Sequence, residues 1–143
     1  MENSALEVLS QQHRQDLQQC GRIMQEIQEQ TDKKTVRDDI LRFWNNGLQK
    51  HVQSEDTLLV PFLLRHRFNT GYVEMLKREN DTIRLLAQRI PVHEDGSYLY
   101  RAFIRLVEQH IEFEDRVIFK KMQEEISEVD LKSLNMQISK FAN

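Results

Sequence analysis

Two stretches of this chain repeat one chemical arrangement. HVQSED (51–56) and HIEFED (110–115) each set a histidine four residues before a glutamate, with an aspartate directly after it. Residues four apart sit about 40° apart around a helix of 3.6 residues per turn, so His51 and Glu55 share one helix face, as do His110 and Glu114. Each pair interrupts an apolar stripe: His51 and Glu55 fall between Leu48 and Leu58, and His110 and Glu114 between Leu106 and Val117. His13 fills the gap from Leu9 to Leu17, and Asn80 the gap from Leu76 to Ile83. A lone histidine on such a stripe is ordinarily a neutral core imidazole with a hydrogen-bond partner. Two carboxylates are harder to accommodate, because an unpaired buried carboxylate is costly or must take up a proton. No lysine or arginine occupies the stripes at that level. A metal cation resolves the conflict by neutralising both carboxylates and accepting imidazole lone pairs. Nitrogen and oxygen donors without a thiolate suit iron, manganese or zinc. Two carboxylates facing each other between helices can bridge a metal pair about 3.5–4 Å apart.

The elements that must position these groups are helices. Ser4-x-x-Glu7 has the form of a capping box opening a first helix with the stripe Leu6, Leu9, Leu17, Cys20, Met24 and Ile27. Thr31-Asp32-Lys33-Lys34 is the turn into a second helix carrying Val36, Ile40, Phe43, Trp44, Leu48, Leu58 and Phe62, which Pro61 kinks without ending it. Phe68-Asn69-Thr70-Gly71 breaks the chain before a third helix with Val73, Leu76, Ile83, Ala87 and Ile90. The loop PVHEDGS (91–97) leads to a fourth, through Leu99, Phe103, Leu106 and Val117 to about Met122. Ser127-x-x-Asp130 starts a short fifth helix, with Leu131, Leu134, Ile138 and Phe141, that should cover one end. The expected fold is all-α: an antiparallel up-down-up-down four-helix bundle with a short C-terminal fifth helix, a single domain over residues 1–143. Measured from a turn centred near 32, His13 and His51 are each about 19 residues away, level at roughly 28 Å along their helices. Similar counts from turns near 68 and 94 place Glu55, Asn80 and His110 within roughly 3 Å of one another in depth. Three histidines, two glutamates and an asparagine are thus expected in one interior layer.

Composition narrows the setting. Few breakers (Gly 4, Pro 2) favour helix throughout. The net charge of -3 and the absence of a basic block exclude a nucleic-acid partner. The longest apolar run, LLVPFLL (58–64), is too short to span a bilayer and contains proline, so no membrane association is expected. MENSALEVLSQQHRQ has neither the basic start nor the apolar core of a secretory signal. Cys20, the sole cysteine, has no internal disulfide partner and reads as a small core residue. A cytoplasmic location follows as the expectation. His66 and His93 flank turns and are expected to be solvated. Tyr72, Tyr98 and Tyr100 are expected to be partly exposed near helix starts. Asp56 and Asp115 should face water or hold a histidine from outside. Trp44, Phe43 and Phe113 are core aromatics that could also keep water from a metal.

The order of these residues resembles the hemerythrin-like, or HHE cation-binding, domain. The resemblance rests on LSQQHRQDL around His13, HVQSEDTLLVPFL from His51, RENDTIRLL around Asn80 and HIEFEDRVIF from His110. The Glu-x-x-His tetrad of ferritin-like di-iron proteins is absent. The resemblance implies two non-haem irons inside the bundle, with zinc or manganese as alternative metals. His13 and His51 would hold one iron, His110 the other, with Glu55 and Glu114 bridging. The chain departs from the family in its third helix, where Asn80 stands in place of a histidine and Leu76 in place of a second one found in oxygen carriers. Asn80 is therefore a weak or replaced ligand, and the second site is expected to be weak or empty. Glu79, about 100° off the stripe, reaches inward only by bending the geometry.

Three functions compete. One is an iron protein that binds or senses O2, NO or a similar small ligand and passes any signal to a separate partner, without being an enzyme. Another is iron-dependent detoxification of NO or peroxide, or iron donation for repair. The last is a degenerate, metal-free bundle, for which Asn80 is the best argument. Nothing in the sequence bears on oligomeric state.

Overall fold

A computed structural model describes residues 4–92 and 96–142. The described residues are almost wholly helical and contain no strand. A 3-10 turn, Ser4–Leu6, leads into α1 (Glu7–Gln28). The cap position of α1 falls on Leu6, with no side-chain cap hydrogen bond, and the Ser4 side chain of the expected capping box lies outside the described side chains. Helix α2 covers residues 33–65, α3 is Thr70–Arg89, α4 covers residues 97–125, and α5 is Glu128–Ala142. The breaks fall where polar residues can close a helix end. Asp32 accepts a hydrogen bond from the Thr35 N–H at 3.2 Å, and Asn69 accepts one from the Tyr72 N–H at 3.1 Å. Gln30 and Arg67 take positive φ in the two turns just before these caps. His93 lies outside the described residues.

Three single turns of π-helix interrupt the long helices. Trp44–Leu48 and Glu55–Leu59 lie in α2, and Glu114–Ile118 lies in α4. A π turn holds one residue more than an α turn, so it rotates everything beyond it. This corrects the expected stripes: Leu58 and Val117 are only partly buried, whereas Leu59 and Ile118 are fully buried. Farther up α4, Leu106 is likewise replaced in the core by Val107, because α4 packs on both α1 and α3 and buries a wide face that includes Ile104 and Ile111. Helix α2 continues past Pro61 to Arg65. Pro61 has no N–H to give the preceding turn, and it stands two residues beyond the π turn that ends at Leu59.

The core is in two parts. One apolar cluster joins Leu6, Leu9, Leu59, Leu63, Leu76, Ile118 and Met122 with Leu131, Leu134 and Ile138 of α5. The other joins Cys20, Ile23, Ile40, Leu48, Val52, Ile83, Phe103, Val107 and Ile111. Each fully buried Leu or Ile contributes about 1.5–3 kcal/mol. Between the clusters every long helix contributes buried polar side chains: His13 from α1, His51 and Glu55 from α2, Asn80 from α3, His110 and Glu114 from α4. The apolar clusters clamp this polar layer from both sides.

Helix α5 does more than cover an end. Its start is fixed by the Ser127 hydroxyl, which accepts from the Asp130 N–H at 3.3 Å, and Asn135 Oδ1 accepts the Val8 N–H at 2.9 Å. It then runs beside α1 and α2 as far as the level of the polar layer. His66, expected to be solvated, is half-buried: it stacks on Phe62, and its ring nitrogens meet the Phe62 carbonyl and Asp130. Tyr100 is buried rather than partly exposed, because its ring lies on Gly96, where a Cβ would come within 2.3 Å of it. Tyr98 is almost fully exposed, and Tyr72 is partly exposed as expected.

Candidate metal centre

Three imidazoles in the polar layer obey one rule. Each turns Nδ1 outward to a carboxylate and Nε2 inward. His13 Nδ1 meets Asp115 Oδ1 at 2.6 Å, His51 Nδ1 meets Asp16 Oδ2 at 2.7 Å, and His110 Nδ1 meets Glu79 Oε1 at 2.7 Å. A carboxylate only accepts, so Nδ1 carries hydrogen in each ring and Nε2 is the atom offered inside.

The two glutamates divide their oxygens between these rings. Glu55 Oε2 lies 2.9 Å from His51 Nε2, and its Oε1 lies 3.0 Å from His110 Nε2. Glu114 Oε2 lies 3.6 Å from His13 Nε2, and its Oε1 lies 2.8 Å from His110 Nε2. One donor atom from each of His13, His51, Glu55 and Glu114 falls within 4.8 Å of all the others. His110 joins this set through both glutamates. Both glutamates are wholly buried, and both begin π turns, so the widened backbone turn coincides with the point where each carboxylate enters the layer.

Hydrogen bonding leaves a remainder. His13 Nε2, both carboxylate oxygens of Glu114, and Asn80 Oδ1 are buried without a hydrogen-bond partner. The short approach of Glu114 Oε1 to His110 Nε2 is not aligned as a hydrogen bond. Each such orphan costs about 1–3 kcal/mol. Gathering imidazole nitrogen and carboxylate oxygen orphans in one layer fits a cation that takes their lone pairs, and the donor set suits a first-row metal.

Asn80 is itself well held. Its Nδ2 donates to Asp56 Oδ1 at 3.1 Å, and Arg84 pairs with the other oxygen of Asp56. Glu79, expected to reach inward only with difficulty, is occupied with His110 Nδ1. Asp115 holds a histidine as expected, whereas Asp56 holds the asparagine. The roles of Asp16 and Glu79 escaped the sequence reading, because carboxylates off the stripes look solvated. A cue did exist for Asp16, which lies three residues from His13 on the same helix face. Among aromatic groups it is Phe119, at 4.9 Å and nearly parallel, that stacks on His13, while His51 lies against His13 at 5.2 Å. Trp44 instead meets Phe103, and Phe113 meets Tyr72. Cys20 is no donor here: burial, then the charges of Glu108 and Asp16, push its thiol far up and keep it protonated.

Without a cation, the layer balances its charge with protons. Burial acts to lower the His13 pKa, but the nearby Glu114 charge and the hydrogen bond to Asp115 outweigh it and raise the pKa to about 9. His51 and His110 are also raised well above the ordinary value, against burial, by Glu55 with Asp16 and by Glu114 with Glu55 respectively. Burial would raise Glu55, yet His110 and His51 hold it well below the usual carboxylate range. The signs fix a window. Stability from the raised His13 is complete below its unfolded value near 6.5 and is lost as pH climbs through about 9, and His51 and His110 contribute with the same sign. Stability from Glu55 is present above its unfolded value near 4.5 and is lost below that as pH falls. Chelator-stripped protein is therefore expected to melt highest near pH 5–6.5 and several degrees lower at pH 9. Metal titrated at pH 7 should release protons measurable with an indicator dye. A melting temperature unchanged between pH 6.5 and 9, with no proton release, would show that these imidazoles are neutral.

Among comparisons with known proteins, a family model described as the hemerythrin HHE cation binding domain matches residues 4–122. The match takes in α1 to α3 and all of α4 but its last residues, and leaves out α5. No curated protein and no solved structure matches the chain.

Proposed function

Since the chain belongs to the hemerythrin HHE cation-binding domain family, we propose that it is a non-haem iron protein that binds or senses O2, NO or a related small ligand in the cytoplasm. The divided glutamates carry this reading. Glu55 turns one oxygen toward His51, Glu114 turns one toward His13, and each turns its other oxygen toward His110, an arrangement that supports two adjoining cation positions. In the first, His13 and His51 would act with two carboxylate oxygens. In the second, His110 would act with the other two, and Asn80 Oδ1 is the weak donor left over.

The helices are proposed to run up-down-up-down. In support, α1 and α3 pass from the first apolar cluster to the second across the polar layer, while α2 and α4 pass in the reverse sense. When bound, iron supplies reversible redox chemistry and an open coordination position to a small ligand. The chain's own residues do the rest. Asp115, Asp16 and Glu79 fix the imidazole tautomers and keep every Nε2 facing inward. The apolar clusters above and below, with Phe119 against His13, restrict water. The ligand-poor side at His110 is where a labile metal and a free position belong.

Metal analysis of protein produced in iron-rich medium tests the reading. One firmly held iron per chain and a second removed first by a mild chelator are expected. A near-ultraviolet charge-transfer band should accompany the second iron, and the reduced spectrum should respond reversibly to O2 or NO. Protein that retains no metal after iron loading would return the chain to the degenerate, metal-free reading. Catalytic loss of NO or peroxide would make it an enzyme.

A further inference from the structure

One cavity reaches the polar layer from outside. It measures about 240 Å³ and lies between α1, α2 and α5. Its inner wall includes His51 and Asp16, the carboxylate that holds His51 Nδ1. Its outer walls are Gln12 and Gln15 on α1, Gly47 on α2, and Phe141 near the end of α5. His51 is the least buried of the inward-facing groups, at 5% exposure against 1% for His13 and His110 and 0% for both glutamates.

Three further observations converge on this cavity. The π turns at Glu55 and Glu114 begin at the glutamates of the layer, but the third, Trp44–Leu48, does not. It places Asn46 and Gly47 on the cavity wall, and a Cβ added to Gly47 would meet nothing within 4 Å. Helix α5 lies beyond the matched residues 4–122, so the matched domain leaves this side of the layer without the wall that α5 adds. The anchoring of α5 is also graded. Leu131 and Leu134 are fully buried and Asn135 is tied to Val8, whereas Phe141 is only partly buried. A helix firm at its start and loose at its end is suited to local opening at that end.

We propose that the cleft between α1, α2 and α5 is the passage by which a cation moves between solvent and the His51 side of the layer, with the last turn of α5, through Phe141, as its cover. The lining offers a partly hydrated cation the oxygens of Gln12, Gln15 and Asp16 along the way, with Lys50 the opposing positive charge on the α2 wall. This rests on the metal reading above, in which His51 is a donor to the firmly held position.

The test uses the full chain loaded with ferrous iron without oxygen and measures transfer to a chromogenic ferrous chelator. Phe141→Ala should release iron about tenfold faster than the parent at equal equilibrium content, as expected when a cover is removed. Gly47→Phe, whose Cβ would meet nothing within 4 Å and whose ring would narrow the cavity, should slow release about as much. Carbethoxylation of His51 in stripped protein, located by mass spectrometry, should shift in the same two directions and needs no metal. Release and labelling unchanged in both variants would overturn the passage while leaving the metal reading intact. A parent chain that holds no iron but labels as expected overturns the metal reading and keeps the cleft as the route to His51.

Discussion

Glu55→Ala is expected to empty both proposed positions of the centre at once, with a loss of metal affinity above the ~10–100-fold that removal of an outer partner of a ligand costs. The reason is geometric. The carboxylate is wholly buried and faces His51 with one oxygen and His110 with the other, so no single position carries the damage. Stability should fall as well. In stripped protein Glu55 is, with Asp16, the counter-charge that raises His51 and, after Glu114, one that raises His110. Removing one member of a buried, hydrogen-bonded charge pair costs about 3–5 kcal/mol. The loss should be largest between about pH 4.5 and 6.5, where the carboxylate and the imidazoles are both charged, and should shrink toward pH 9. Glu55→Gln keeps the shape and separates charge from packing. Metal content per chain and a urea melt at two pH values check both parts. A Glu55→Ala protein with two tightly held irons would refute the bridging role.

Asn80→His is expected to move metal content the other way, tightening the weaker position by at least about tenfold, in line with the leverage of a single donor and its outer partner. The surroundings already suit an imidazole. Asp115, Asp16 and Glu79 each hold the Nδ1 of a histidine, and Asp56, fixed by Arg84, holds the Nδ2 of Asn80 in the same manner. A histidine at 80 could give its Nδ1–H to Asp56 and turn Nε2 into the layer, where the Asn80 carbonyl oxygen is without a partner. The cost is volume, because Asn80 is fully buried and overpacking typically costs about 1–3 kcal/mol. Metal stoichiometry under competition with a mild chelator measures the gain. Loss of the second metal in Asn80→His would mean that the amide oxygen was the better donor.

Much of this arrangement was legible in the sequence because burial of polar groups violates a simple rule. His13, His51, Glu55, His110 and Glu114 interrupt apolar stripes, and the structure gathers them where the helical period places them. The turns were legible from Asp32 and Asn69, which cap the helices that follow. What escaped has physical causes. A π turn leaves no periodic trace, so Leu58 and Val117 were placed on the core face instead of Leu59 and Ile118. Asp16 and Glu79 sit beside the stripes, and only folding shows that a histidine from another helix reaches them. Phe119 was hidden by its place beyond the π turn of α4, which turns its ring onto His13. The reach of α5 along α1 and α2 depends on packing between distant segments, which a local pattern does not encode.

The bond between His13 and Asp115 joins residues 102 positions apart. During synthesis, the first imidazole of the layer leaves the ribosome long before its outer partner or Glu114 exists. Closing so large a loop is slow compared with helix formation. A cation held by the whole layer would therefore enter only after α4 has docked, and until then His13, His51 and Glu55 would form an incomplete set of donors.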